Sequence, residues 1–244
     1  MLAEVRDLYR HSRKPHDILW NTYVSRPMAA FVLHFLRRTP LTPNQVTFAS
    51  LLVALGGDVA MVFWQGRWGL LAAALILQAS YVLDCVDGQL ARLKDLATPV
   101  GAHLDFLMDE LKAYALLAAV SARLWLASPE RDVRWLLLGL GGLGVLASAI
   151  SLTTFMRRPE YAPPPPKTGF APPPPVPRSP VAFVGWAVTR AARFIAHYPS
   201  YLLLVALVDR IDLYFFPYLG VHALYLVRSM AQIMWKLGRP RMPA

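Results

Sequence analysis

Residues 69–109 read GLLAAALILQASYVLDCVDGQLARLKDLATPVGAHLDFLMD. An apolar run from Gly69 to Leu83 meets two aspartates, Asp84 and Asp87, and the apolar run that follows opens with two more, Asp105 and Asp109. A bilayer core takes about 20 apolar residues per helix, so 69–91 fits one span and 101–126 another. The nine residues from Arg92 to Val100 then form a short turn that folds the second span back on the first. Asp84 and Asp87 are three apart, and Asp105 and Asp109 four apart, which puts each pair on one helix face. Four carboxylates therefore converge near one end of a helical hairpin.

Further apolar runs lie at 44–64, 134–156, 195–211 and 213–235, the last two separated only by the polar patch Asp209, Arg210 and Asp212. The expected fold is an all-α integral membrane protein with six transmembrane helices. Composition agrees: 56% of the 244 residues are hydrophobic and 16% charged, against about 25% charged in soluble domains, and the mean hydropathy is +0.39. These values exclude a disordered chain and argue against a soluble enzyme, and a single cysteine, Cys85, excludes a disulfide scaffold.

The net charge of +10 leaves two classes, a nucleic-acid binder or a membrane protein. Position decides between them. With six spans, nineteen of the 25 basic residues fall at one membrane face and five at the other, with Lys112 inside the third span. The positive-inside rule then makes both termini cytoplasmic in a multi-pass protein of the cell (inner) membrane. Trp64, Trp68, Trp125 and Trp135 mark the opposite interface, and no nucleic-acid partner is expected.

Residues 1–40 read as a cytoplasmic N-terminal segment, with an interfacial amphipathic helix over 15–40 that mixes Ile18, Leu19, Phe31 and Leu36 with Arg26, Arg37 and Arg38. The first 17 residues are too polar for a cleavable signal peptide. Pro40 and Pro43 interrupt the chain, Asn44 can cap the first span, and 41–244 form the transmembrane domain. Within it, 159–180 hold 11 prolines in 22 positions, an extended cytoplasmic loop.

Carboxylates at membrane depth are costly and functional by default. Helix capping, or pairing with Arg92 and Lys94, accounts for one or two of the four but not for Asp105 and Asp109, which lie inside an apolar helix. Like charges in a low-dielectric site need cations, and oxygen-only ligands favour Mg²⁺ or Mn²⁺. Two divalent ions suit four aspartates, and such pairs serve phosphoryl transfer. Gly88 and Gly101 allow close approach, and Arg92 offers a planar fork for phosphate oxygens. Lys112, one turn beyond Asp109, either pairs with Glu110 or an aspartate or holds an acceptor phosphate. Arg157, Arg190 and Arg193 are further candidates for an acceptor, although positive-inside topology alone explains them.

The pattern Asp84-x2-Asp87-Gly88-x2-Ala91-Arg92-x8-Gly101-x3-Asp105-x3-Asp109 resembles the signature of the CDP-alcohol phosphotransferase (CDP-alcohol phosphatidyltransferase) family, class I, with all eight defining positions present. Pro43-Asn44-x2-Thr47 is similar to the opening of that family's first helix. The resemblance implies a six-helix membrane enzyme, commonly a homodimer, that transfers a phosphoalcohol group from a CDP-linked donor to an acceptor hydroxyl and releases CMP. It implies Asp84, Asp87, Asp105 and Asp109 as ligands of two Mg²⁺ ions, with Asp109 also the general base. It further implies Asn44, Thr47, Gly88, Ala91, Arg92, Thr98 and Gly101 as the surroundings of the donor nucleotide and diphosphate. The expected role is in phospholipid biosynthesis, with CDP-diacylglycerol as donor; the opposite arrangement, a CDP-alcohol donor and a diacylglycerol acceptor, remains open.

Members of the family that use inositol phosphate or glycerol phosphate often carry Arg after the last aspartate, where this chain has Glu110. Other classes are a membrane prenyltransferase, a transporter of a divalent cation, and a silent scaffold. CMP release separates the first reading from all three.

Overall fold

A computed structural model describes residues 2–12, 18–156, 158 and 179–237. Its helices are α1 (Leu2–Ser12), α2 (Arg26–Leu36), α3 (Pro43–Phe63), α4 (Arg67–Leu93), α5 (Pro99–Ala127), α6 (Arg134–Met156), α7 (Pro180–Ala196), α8 (Tyr198–Leu207) and α9 (Asp212–Leu237). No strand occurs among the described residues. Three of these helices, α3, α4 and α6, are long and apolar enough to cross a membrane. Arg157, most of the proline-rich loop (159–178) and the C-terminal residues 238–244 lie outside the described residues.

The hairpin is tighter than the sequence suggests. Helix α4 runs on to Leu93, and Asp95 (φ 53°) takes the left-handed conformation that ends it. The Leu96 N–H then donates to the Ala91 carbonyl at 2.9 Å, closing a Schellman-type turn. Thr98 caps α5 by accepting from the Gly101 N–H at 3.0 Å, with Pro99 at the first helical position. The turn therefore spans residues 94–98. Lys94, an option for pairing with the acids, instead donates from Nζ to the carbonyls of Thr39 and Leu41 at 2.8 and 3.0 Å.

The cap of α3 is Thr42, not Asn44. Its hydroxyl accepts from the Gln45 N–H at 3.3 Å while its own N–H donates to Gln45 Oε1 at 2.9 Å, a reciprocal capping box. Pro43 fits the first helical position because it has no N–H to satisfy, and Asn44 is thereby released from capping.

Helix α3 packs against both arms of the hairpin. The core joins Ala54 and Met61 of α3, Leu70 and Leu77 of α4, Leu116 and Leu117 of α5, Leu146 of α6, Leu202 of α8, and Tyr214 and Phe215 of α9. At the end remote from the acids, the buried Arg123 guanidinium donates to the carbonyls of Met61 (2.8 Å), Trp64 (3.0 Å) and Gly66 (2.7 Å). It thus satisfies the carbonyl end of α3 and the α3–α4 turn together. R123M should take the guanidinium from the Met61 and Trp64 carbonyls, while that of Gly66 still accepts from the Leu70 N–H at 3.1 Å, and cost about 2–3 kcal/mol. The thermal unfolding midpoint in detergent should fall by several degrees, and a fall below about 2 °C would contradict this role.

The expected helix over 195–211 is interrupted. A continuous helix would drive the Pro199 ring into the carbonyl four residues earlier, and the chain breaks at His197 (φ −80°, ψ 83°). Helix α8 keeps only 10 residues, whereas α7 begins at Pro180, where the sequence suggested loop.

Within the 15–40 stretch read as an interfacial helix, residues 19–36 are helical, and 13–17 lie outside the described residues. Helix α1 was not anticipated. It packs on α2 through buried Leu8 and through Glu4, which pairs with Arg37 and lies 3.4 Å from His34 Nδ1. The Arg37 guanidinium holds the Glu4 carboxyl below its ordinary range. Leu8, Ala29 and Leu33 then pack onto Val82, Val86 and Leu90 of α4, so this arm lies along the segment that carries Asp84 and Asp87.

Candidate active site

Asp84 and Asp87 project from α4, and Asp105 and Asp109 from α5. One carboxylate oxygen from each of Asp84, Asp105 and Asp109 lies within 4.8 Å of the others. Asp87 is buried and held by α3: Thr47 Oγ1 lies 2.5 Å from Asp87 Oδ2 and 3.1 Å from the Pro43 carbonyl. The set consists of carboxylate oxygens alone, which fits hard divalent cations rather than zinc.

Exposure differs among the acids. The Asp109 side chain is 48% exposed, against 13% for Asp84, and Asp87 is only 5% exposed. Lys112, 3% exposed, sends Nζ between the helices to ion-pair with Asp84 and with Asp109 Oδ1, the latter at 3.3 Å. Burying that ammonium is tolerable because two carboxylates face it.

Two adjoining cavities open beside the cluster, of about 210 and 240 Å³, together within the ~300–1,000 Å³ typical of ligand sites. The first is lined by Pro43, Asn44, Thr47, Asp87, Gly88, Ala91, Arg92, Thr98, Gly101 and Asp105, among others. The second is lined by Asn21, Arg26, Tyr81, Asp84, Cys85, Asp87, Gly88, Arg92, Asp105 and Asp109. Asp87, Gly88, Arg92 and Asp105 form the shared wall. Gly101 has a visible reason: a Cβ there would stand 3.2 Å from Thr98 Oγ1 and 3.6 Å from Asn44 Oδ1, crowding the helix cap and the cavity wall.

All eight positions of the motif pattern, with Asn44, Thr47 and Thr98, thus gather around two connected cavities. The candidate acceptor residues do not. Lys112 lines neither cavity, being engaged with Asp84 and Asp109, nor do Arg190 and Arg193 of α7. Arg190 stacks over the Trp186 ring, 4.8 Å from its centroid. Glu110 points away from the cluster and accepts from Thr154 Oγ1 of α6 at 3.1 Å. His103 bonds the Pro99 carbonyl within its own helix at 2.7 Å.

Sequence reasoning missed Asn21, Arg26 and Tyr81. The first two sit in a segment whose basic residues topology explained, and a local irregularity turns them inward. Asn21–Ser25 form a π-helical turn in which the Arg26 N–H donates to the Asn21 carbonyl. That bond stacks residues five apart, which a regular α-helix would set about 140° apart. Polar residues in an otherwise apolar, α4-facing stripe were the available signal.

The family described as CDP-alcohol phosphatidyltransferase matches residues 40–208. The chain belongs to the CDP-alcohol phosphatidyltransferase family. Among its relatives, a cardiolipin synthase (CMP-forming) of Oryza sativa subsp. japonica is 34% identical over 99 residues, 41% of this chain and 28% of the relative. A CDP-diacylglycerol--glycerol-3-phosphate 3-phosphatidyltransferase of Pseudomonas fluorescens is 31% identical over 90 residues, 36% of this chain and 46% of the relative. The inner membrane protein YnjF of Escherichia coli (strain K12) is 28% identical over 143 residues, 56% of this chain and 65% of that protein. The matched stretch covers less than two thirds of the length of each. All motif positions fall inside the family match, whereas Asn21 and Arg26 precede it.

Proposed function

We propose that this chain is a phosphotransferase of phospholipid synthesis that transfers a phosphatidyl group from CDP-diacylglycerol to an alcohol acceptor and releases CMP. The observation that carries the reading is the convergence of the Asp84, Asp105 and Asp109 carboxylates within 4.8 Å, beside cavities walled by the motif residues. Asp84, Asp87, Asp105 and Asp109 would hold two Mg²⁺ ions. When bound, these supply positive charge that draws in the donor diphosphate and offsets the negative charge developing in the displacement.

The chain's own residues do the rest. The Arg92 fork holds phosphate oxygens. Gly88, Ala91 and Gly101 leave room for the nucleotide, with Asn44, Thr47 and Thr98 as polar contacts, and Thr47 also fixes the Asp87 rotamer. Asp109, the most exposed of the three clustered acids, takes the acceptor hydroxyl proton. The acceptor oxygen bonds to the phosphatidyl phosphorus as the phosphorus–oxygen bond to CMP breaks, and CMP departs with that electron pair.

Six membrane crossings, cytoplasmic termini in the inner membrane, an N-terminal arm at the interface and a homodimer belong to the same proposal. The charge asymmetry, the apolar helices and the inward stripe of the arm support its topology. Purified full-length protein should release CMP from CDP-diacylglycerol in the presence of Mg²⁺, and EDTA should abolish the reaction. The acceptor panel is glycerol 3-phosphate, inositol phosphate, serine and inositol, read by product mass. Failure to release CMP with any of them, with either Mg²⁺ or Mn²⁺, overturns the reading. CMP release only from a soluble CDP-alcohol in the presence of diacylglycerol would reverse the donor and acceptor.

A further inference from the structure

Residues 19–36 of the N-terminal arm bury small or polar side chains and expose large apolar ones. The buried face carries Asn21, Ser25, Arg26, Ala29, Ala30 and Leu33. The outer face carries Leu19, Tyr23, Met28, Phe31 and Phe35, each at least 44% exposed. These five follow one another at steps of four, five, three and four residues, and the five-residue step spans the π turn. The longer turn thus keeps the outer row continuous while it aligns Asn21 with Arg26 on the inner face. A continuous row of bulky apolar side chains marks an interaction face.

Charge selects the partner. Residues 1–40 hold seven Lys and Arg against three Asp and Glu. Glu4 is taken by Arg37. Arg6 and Arg10 stand on the exposed edge of α1 with Asp7 beside them, and Arg38 is exposed just beyond α2. An apolar row flanked by arginines matches a lipid leaflet, with acyl chains for the row and anionic headgroups for the guanidinium groups. A second copy of the chain would bring the same positive charge to this face and repel it.

The arm also reaches the site. Gln78 Nε2 donates to Ser25 Oγ at 3.4 Å, Gln89 Nε2 to the Arg26 carbonyl at 3.3 Å, and Asn21 Nδ2 to the Tyr81 hydroxyl at 2.8 Å. The buried amide oxygens of Gln78 and Gln89 find no partner, so this seam grips the arm less firmly than a fully bonded one. Tyr9 of α1 donates to the Thr22 carbonyl at 3.0 Å, which joins the basic helix to the π turn. That turn places Asn21 and Arg26 in the wall of the second cavity, together with Asp109.

We propose that an anionic lipid leaflet is the arm's second partner, and that its grip on the outer face holds Asn21 and Arg26 in the cavity wall, so that turnover depends on anionic lipid around the protein. The lipid contact goes beyond the transfer reading, and only the effect on turnover rests on it.

The test uses full-length wild type, R6Q/R10Q and F31S/F35S in nanodiscs of phosphatidylcholine alone or of equal parts phosphatidylcholine and phosphatidylserine. Each disc carries the same fraction of CDP-diacylglycerol, and CMP release is followed with Mg²⁺ and the most active acceptor. Amide hydrogen exchange over residues 19–36 is measured in parallel and needs no turnover. One basic side chain near an anionic surface adds about fivefold to its affinity. Wild type should therefore show at least fivefold slower exchange and at least fivefold faster CMP release with phosphatidylserine. R6Q/R10Q should lose most of both gains while its rate in phosphatidylcholine stays within twofold of wild type. F31S/F35S should exchange at least tenfold faster than wild type in both discs and turn over more slowly.

Equal exchange and equal turnover of wild type in the two discs would overturn the proposal. Slower exchange with unchanged turnover would leave the arm an anchor and overturn its control of the cavity. A full wild-type gain in R6Q/R10Q would overturn the headgroup contact. Conversion of a dimer to a monomer by F31S/F35S would give the outer face to a second copy and overturn the lipid partner. If F31S/F35S does not fold, R6Q/R10Q still decides, because both of its side chains are exposed. If wild type releases no CMP with any acceptor, the transfer reading fails, while hydrogen exchange still decides the arm's partner.

Discussion

Replacing Asp109 by Asn should lower CMP release by about 10³-fold, the middle of the range for loss of a positioned general base, while donor binding changes little. The expectation follows from exposure. Asp87 is committed to Thr47 and buried, and the Asp84 side chain is 13% exposed and paired with Lys112. Asp109 is 48% exposed and opens into the second cavity, so it is the clustered acid best placed to meet an incoming hydroxyl. Asparagine keeps an oxygen and the shape but cannot accept the proton. The donor KM, and protection of the protein by CDP in thermal melts, should remain within a few fold of wild type.

A comparison variant separates a base from a ligand. D105N should weaken Mg²⁺ binding and recover much of its activity when Mg²⁺ is raised, because a missing ligand costs affinity. D109N should not recover at any Mg²⁺ concentration. Recovery of D109N with Mg²⁺, or turnover above a tenth of wild type, would assign Asp109 to the metal alone.

How much of this was legible before the structure depended on whether a feature follows a local period. The hairpin was legible because apolar length and three- and four-residue spacings act within single helices, and Asp84, Asp105 and Asp109 meet within 4.8 Å, whereas the carboxylate of Asp87 is taken by Thr47 instead of joining that group. The Thr42 cap was not, since Thr42 and Asn44 are both good caps and only the fit of Pro43 to the first helical position chooses between them. The break at His197 was written in Pro199, but the apolar run across it outweighed a single residue. Asn21 and Arg26 were hidden for a different reason. Their shared direction depends on a π turn, and no apolar periodicity announces a change of helical pitch. Lys112 was placed correctly on its helix, but whether it served an aspartate or an acceptor depended on side-chain reach across to α4.

That choice gives the second large effect. K112M should lower the melting temperature in EDTA by on the order of 10 °C, because removing one partner of a buried ion pair costs about 3–5 kcal/mol. The cost arises because Asp84 and Asp109 then face each other across a low-dielectric gap with no cation between them. Divalent ions answer the same charge, so Mg²⁺ should stabilise K112M by at least twice the increment it gives wild type, through linkage of binding to folding. It should also bind more tightly, since the ammonium no longer competes for those oxygens. An acceptor-holding lysine predicts otherwise: the KM for a phosphorylated acceptor would rise while the EDTA melting temperature and the Mg²⁺ increment stayed at their wild-type values. Melts of the two proteins with and without Mg²⁺ therefore decide whether Lys112 is the internal counter-ion of the aspartate cluster, and equal increments would reject that role.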